Sequence, residues 1–152
     1  METGASVGLL PMDESHCDAC AALLMDVFTN PPWSYDWLKR DKMDAYVRDL
    51  LRTPGFRGFV LLQKGMLRAA CLGVEADYFA APTYEIKEIL VMRELQGHGV
   101  GGAFLSGIEA ALAADGRVCV TLNTQRSIPA FRFYEKHGYA VSPETVMMSK
   151  LL

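Results

Sequence analysis

The run Gln96-Gly97-His98-Gly99-Val100-Gly101-Gly102 places four glycines in six residues, between an apolar strand-like segment and a helix-like one. Glycine lets a backbone approach a ligand closely, and a helix starting there offers unpaired N–H groups and a partial positive charge. Together these make a phosphate cradle, which the position at a helix start favours over a merely flexible turn. A second constellation is Cys17-x-x-Cys20 beside His16. In a redox protein this spacing sets a thiolate at a helix N-terminus. A zinc site needs a second pair of ligands, and Cys71 and Cys119 stand alone. The expectation is two small residues on one helix face, with no metal site.

The elements that must position these groups follow from periodicity and punctuation. Val7 to Leu10 predicts a first strand. Asp13 and Ser15 offer caps for a helix ending near Phe28, and Asn30-Pro31-Pro32 breaks it. Ser34 is placed to cap a second helix over Tyr35 to Leu51. Phe56 to Gln63 and Met66 to Glu75 predict strands joined at Lys64-Gly65. After a loop at Ala80 to Thr83, Tyr84 to Val91 predicts a strand with a buried C-terminal half. A helix then runs from the glycines to Ala114, with Val100, Phe104, Ile108, Ala111 and Leu112 as its apolar stripe. Arg117 to Thr124 predicts a strand, Pro129 to His137 a short helix, and Thr145 to Leu151 a last strand whose exposed face would support a homodimer. The order is that of an α/β fold: a mixed, mostly antiparallel sheet flanked by helices, with one central parallel βαβ unit.

The 152 residues suit a single domain over 1–152, long enough to bury its own core. The composition is 51% apolar and 22% charged, with a net charge of -3 and no Lys/Arg block, so a nucleic-acid footprint is absent. No apolar run reaches the ~18 residues of a membrane span. Met1 to Pro11 lacks the basic start of a secretory signal. These features predict a cytoplasmic protein without a membrane partner.

Gly97, Gly99 and Gly102 match the dinucleotide pattern G-x-G-x-x-G, so a nucleotide-dependent oxidoreductase is a rival reading. Against it, Met92 to Gln96 separate the glycines from the strand, the next strand ends in Asn123-Thr124 rather than an acid, and only one βαβ unit is visible. A different register reads better. Gln96-x-x-Gly99-x-Gly101 resembles the Gln/Arg-x-x-Gly-x-Gly/Ala signature of GNAT acetyltransferases. Glu88-Ile89-Leu90-Val91 is similar to the end of their fourth strand, and Ala130-Phe131-Arg132-Phe133-Tyr134-Glu135-Lys136-His137-Gly138-Tyr139 to their Ala-x-x-x-Tyr-x-x-x-Gly-Phe/Tyr segment. Pro31-Pro32-Trp33-Ser34 resembles the Pro-Trp-Ser found early in many members. The strong resemblance covers Tyr84 to Tyr139.

This resemblance implies a GNAT-like fold with splayed fourth and fifth strands, acetyl-CoA as cofactor and an amine as acceptor. The CoA pyrophosphate would be held by backbone N–H groups of Gln96, Gly97, His98, Gly99, Val100, Gly101 and Gly102. The pantetheine arm would pair with strand backbone at Ile89, Leu90 and Val91, with an N–H near Leu90 or Val91 stabilising the oxyanion. Ser127 stands where many members carry Asn; it can cap the following helix and contact the arm. Tyr134 occupies the position of the general acid. Chemically this suits, because a thiol leaving group has a pKa near ~8.5 and tyrosine near ~10. A base must free the acceptor amine. Glu85 and Glu88 are the candidates, on opposite strand faces unless a bulge intervenes, and Glu88 is favoured. Trp33, Tyr35 and Trp37 would line the acceptor pocket. A binding module on the same fold, without turnover, is the rival within this resemblance.

Overall fold

A computed structural model describes residues 8–78 and 81–152, with Tyr78 as backbone only. Five strands form one sheet in the order β1 (Gly8–Pro11), β2 (Phe56–Gln63), β3 (Met66–Tyr78), β4 (Ala81–Val91), β5 (Cys119–Leu122). All neighbours pair antiparallel except β4 and β5, which are parallel. Four helices flank the sheet: α1 (Cys17–Phe28), α2 (Arg40–Arg52), α3 (Val100–Ala114) and α4 (Pro129–Lys136).

Two apolar layers hold the helices to the sheet. On one face, Cys17, Cys20, Ala21 and Leu24 recur at helical spacing along α1 and meet Val47 of α2 and Val60, Ala70, Leu72 and Leu90 of the sheet. On the other, Phe104, Leu105, Ile108 and Leu112 of α3 and Tyr134 of α4 cover Phe59, Cys71, Tyr84 and Ile86. Asp13 caps the turn that leads into α1: its carboxylate accepts the Ser15 N–H at 2.9 Å, and its own N–H donates to His16 Nδ1 at 3.1 Å. Lys64 and Gly65 both take left-handed φ, which matches the twist of the β2–β3 hairpin.

Several elements differ from the sequence expectation. The second helix starts at Arg40, not Tyr35, and Ser34 cannot cap it because its φ is +51°. Instead the Tyr35 N–H donates to Phe28 O at 2.7 Å, folding the connection back onto the end of α1. The β3–β4 pair runs further than expected, through Ala76↔Thr83 and Tyr78↔Ala81, so Pro82 and Thr83 lie in a strand rather than a loop. Of the predicted ends here, Val7 and Ala80 lie outside the described residues. β5 is shorter than the predicted Arg117 to Thr124. Thr145 to Leu151 forms no strand: every residue from Ala140 to Leu152 is exposed.

Candidate active site

β4 and β5 pair only over Thr83–Ile86 and Cys119–Leu122. Beyond Ile86 they part, while β4 continues to Val91. The gap is a cleft of about 240 Å³ lined by Lys87 to Leu90 of β4, Leu122 to Gln125 leaving β5, Ile128 just before α4, Ala130 and Tyr134 of α4, and Phe28, Trp33 and Tyr35 from the end of α1 and its following loop. Among the described residues, strand backbone on this side of Lys87–Leu90 has no neighbouring strand, so it is free to pair with an extended ligand.

A β-bulge shapes what enters the cleft. Leu72 faces Glu88 but Gly73 faces Ile86, so Lys87 is an extra residue. Without it Tyr84, Ile86, Glu88 and Leu90 would share one face. With it, Tyr84 and Ile86 pack toward α3, while Glu88 and Leu90 turn toward α1 and α2. Glu85, opposite Val74, falls on the same face as Glu88. The two acids differ in their partners. Glu85 is ion-paired with Lys87 at 2.8 Å and does not line the cleft. Glu88 lines it and accepts a hydrogen bond at 2.8 Å from the Tyr46 hydroxyl of α2. Burial pushes the Glu88 carboxyl above its ordinary range, and the Tyr46 bond partly opposes this.

Tyr134 is buried in α4 and lines the same cleft. Proline at the helix start and Gly138 after its end, with φ +90°, bound this short helix. The hydroxyls of Tyr35, Tyr46, Tyr84 and Tyr139 each have a partner: Gln125, Glu88, Arg57 O and Glu109. Among the described residues the Tyr134 hydroxyl has none. Burial raises its pKa above the usual tyrosine value, with Cys71 and Glu88 adding to the effect, so it stays protonated at neutral pH.

The glycine loop lies at the far end of β4. Gly99, at φ +79°, is the N-cap of α3 and provides no capping side chain. No acidic residue occupies the first turn, and the first intrahelical bond is from the Ala103 N–H to Gly99 O. The N–H groups of Val100, Gly101 and Gly102 are therefore left for an anion. A Cβ on Gly101 would stand 3.4 Å from Phe133 and 3.6 Å from Val91, and one on Gly102 only 2.5 Å from His137 Nε2. The helix start is thus wedged between the end of β4 and α4, beside the cleft. Gln96 donates through its side-chain amide to Val91 O at 2.9 Å, tying the loop to the strand. Gly97 and His98 are exposed.

Other expected residues separate. Ser127 is exposed and does not cap α4, whose N-cap is Ile128 without a side-chain bond. Trp33 and Tyr35 line the cleft, whereas Trp37 is 69% exposed and packs at a tilt on Tyr35, with ring centroids 5.4 Å apart, outside it. Tyr46 was not singled out from sequence; the available signal was a tyrosine on the inner face of an amphipathic helix, whose hydroxyl must find a partner. Cys17 and Cys20 are buried free thiols. Burial raises both, Cys20 to about 12, so neither is a thiolate at neutral pH.

A mixed sheet with one parallel pair also sets aside the dinucleotide fold, which needs a parallel sheet. Residues 54–141 match the model of the acetyltransferase (GNAT) domain. The chain belongs to the GNAT acetyltransferase family. No curated protein matches it in sequence. Solved structures share the fold at low identity. The aminoglycoside N-acetyltransferase AAC(6')-Iy in complex with CoA superposes with a TM-score of 0.75 at 12% identity, covering 99% of this chain and 98% of that one. A ribosomal-protein-alanine N-acetyltransferase from Brucella melitensis biovar Abortus 2308 gives 0.74 at 14%, covering 96% and 99%. The aminoglycoside acetyltransferase meta-AAC0020 from an uncultured soil metagenomic sample, in complex with sisomicin, gives 0.72 at 14%, covering 96% of each. GNAT acetyltransferases use acetyl-CoA, and the unpaired N–H groups opening α3, together with the open β4 edge, fit its pyrophosphate and its amide-bearing arm.

Proposed function

We propose that this GNAT acetyltransferase moves an acetyl group from acetyl-CoA to a primary amine by direct transfer in a ternary complex. The observation that carries this reading is a proton donor and a proton acceptor on one cleft: the unpartnered Tyr134 hydroxyl and the Glu88 carboxylate. The names of the aminoglycoside and ribosomal-protein-alanine relatives support an amine acceptor.

Bound acetyl-CoA supplies an electrophilic thioester carbon and a sulfur leaving group. The N–H groups of Val100, Gly101 and Gly102 hold the pyrophosphate, and the free edge of β4 around Ile89 to Val91 orients the arm. Glu88 takes a proton from the acceptor amine, directly or through a water. Its upward-shifted pKa makes it a stronger base than an exposed glutamate. As the C–N bond forms and the C–S bond breaks, a β4 backbone N–H near Leu90 stabilises the developing oxyanion, and Tyr134 gives its proton to the departing sulfur. Trp33 and Tyr35, held by Phe28 at 5.3 and 6.1 Å, form an aromatic wall for the acceptor.

Two measurements test this. Acetyl-CoA at ~100 times its Kd adds about 2.7 kcal/mol, which raises Tm by roughly 5–10 °C for a chain of this size; no shift at millimolar acetyl-CoA overturns the cofactor assignment. With an accepted amine, Tyr134→Phe lowers turnover ~10²–10⁴-fold while leaving the acetyl-CoA shift intact. Undiminished turnover at saturation removes Tyr134 from the mechanism.

A further inference from the structure

The acceptor end of the cleft is a corner of aromatic rings with little charge around it. The Phe28 ring meets Trp33 edge-on, at 88° with centroids 5.3 Å apart, and lies nearly parallel to Tyr35, at 22° and 6.1 Å. Trp33 and Tyr35 are therefore steeply inclined to each other, and both line the cleft. A flat ring entering this corner can stack on one of them and turn its edge to the other, the two arrangements that aromatic pairs prefer. The corner is preformed, so little ordering is left to the bound state. The Tyr35 N–H donates to Phe28 O at 2.7 Å, its hydroxyl accepts from the Gln125 side-chain amide at 3.4 Å, and Trp33 packs against the core layer of α1 and α2.

Charge and space narrow what can sit there. Among the described residues lining the cleft, Glu88 is the one acid and Lys87 the one base. Glu85, on the same strand face, is paired with the Lys87 ammonium at 2.8 Å and does not line the cleft. Asn123, Thr124 and Gln125 on the opposite wall are neutral. One carboxylate can receive one ammonium. A second ammonium would shed water among rings and amides, with no acid to pair with and with Lys87 lining the same cleft, and nothing would offset that desolvation. The volume of about 240 Å³ is below the ~300–1,000 Å³ common for small-molecule sites, and the acetyl-bearing end of the cofactor arm takes part of it. The remainder suits a single ring on a short chain.

On the transferase reading of this cleft, we infer that the acceptor is a small monoamine whose ammonium is carried on a short chain from a flat aromatic ring. The ammonium meets Glu88 and the ring fills the corner between Trp33 and Tyr35. Polycationic amines, multi-ring aminoglycosides among them, are poor acceptors, because their further charges find no partner in the cleft.

Initial rates of acetyl transfer by the full chain decide this, with 2-phenylethylamine, 2-cyclohexylethylamine, spermidine and sisomicin as acceptors at saturating acetyl-CoA. The phenyl and cyclohexyl amines share a carbon skeleton and differ in the flatness and π-face of the ring. 2-Phenylethylamine should show the highest kcat/KM, with spermidine and sisomicin at least ~10-fold lower. Trp33→Leu keeps apolar bulk and loses the ring, so the phenyl-to-cyclohexyl ratio of kcat/KM should fall roughly 2- to 10-fold, the titration of the amines themselves cancelling between the two proteins. A parent protein that prefers spermidine or sisomicin, or a ratio that Trp33→Leu leaves in place, overturns the inference while acetyl transfer stands. Acetylation of none of these amines by a protein that acetyl-CoA stabilises overturns it as well. The transferase reading falls separately, on a missing thermal shift with acetyl-CoA. The panel on the parent protein keeps the test decisive even if Trp33→Leu fails to fold.

Discussion

Tyr46→Phe removes one hydroxyl and tests whether Glu88 is the group that titrates during turnover. The Tyr46 O–H donates to Glu88 at 2.8 Å and so favours the ionised carboxylate. Losing that bond favours the protonated acid, and a higher pH is then needed to recover the base. A hydrogen bond to a charged group is worth about 1.5–3 kcal/mol, and 1.36 kcal/mol corresponds to one pKa unit, so the upper bound is a rise of ~1–2 units. Glu88 borders an open cleft, where water replaces part of the lost bond, which argues for about one unit. The assay is kcat/KM against pH at saturating acetyl-CoA, with one acceptor throughout so that its own titration cancels between variants. The acid limb should move up by about one pH unit, making the variant ~10-fold slower on that limb and equal to the parent on the plateau. A plateau that falls while the limb stays in place would refute the reasoning, because Tyr46 would then only pack and Glu88 would not carry the titration.

Other perturbations separate function from stability. Glu88 has a folded-state pKa raised by burial, so its contribution to stability is full below the unfolded value near ~4.3 and is lost as pH rises through the folded value. Glu88→Gln keeps an acceptor for Tyr46 without the buried charge, so Tm should rise at pH 7–8 and match the parent near pH 4, while turnover falls. Each tenfold preference of the folded state for the proton is worth about 1.4 kcal/mol, and an unchanged or lower Tm at neutral pH counts against a buried carboxylate. Gly99→Ala forces a side chain into φ +79° at a cost of ~1–2 kcal/mol and distorts the N–H cradle, so the Tm increment from CoA should shrink. Gly102→Ala instead meets His137 at 2.5 Å, so it should lower Tm of the free protein by several degrees, from ~1–3 kcal/mol of overpacking. Indistinguishable behaviour of the two variants would mean that the cradle assignment is wrong.

Much of the fold was legible because its signals are local. The α3 stripe, the Lys64-Gly65 turn and the proline and glycine bounding α4 each declare an element without reference to the rest of the chain. The errors arose where tertiary contacts override local preference. Ser34 looks like a cap in sequence, but the Tyr35–Phe28 backbone bond and the stacking of Tyr35 on Phe28 draw that stretch into a loop. The β3–β4 pair extends past its expected end because Arg117, from a remote part of the chain, binds Glu75 at 2.9 Å and Asp77 at 2.6 Å along β3. Thr145 to Leu151 has the composition of a strand, yet a strand also needs a neighbour, which no local pattern supplies.

The same distinction governs the site. The loop and Tyr134 were readable because spacing along a helix fixes which residues meet. Glu88 was readable only conditionally, since its direction depends on whether a residue is inserted in β4. The inserted residue is Lys87, and nothing in Glu85-Ile86-Lys87-Glu88 marks it as such. Its cause lies across the sheet: Gly73 of β3 leaves room for the Tyr84 ring, whose carbon and oxygen atoms would stand 2.3–2.4 Å from a Cβ there, and Tyr84 reaches past it to donate to Arg57 O at 2.7 Å. Tyr84 is thus locked toward α3, while Leu90 belongs to the layer beneath α1 and α2. Tyr84 and Leu90 are six residues apart, an even step that an unbroken strand would place on the same face, so one extra residue must intervene between them. The bulge that turns Glu88 toward Tyr46 therefore follows from two core residues that demand opposite faces.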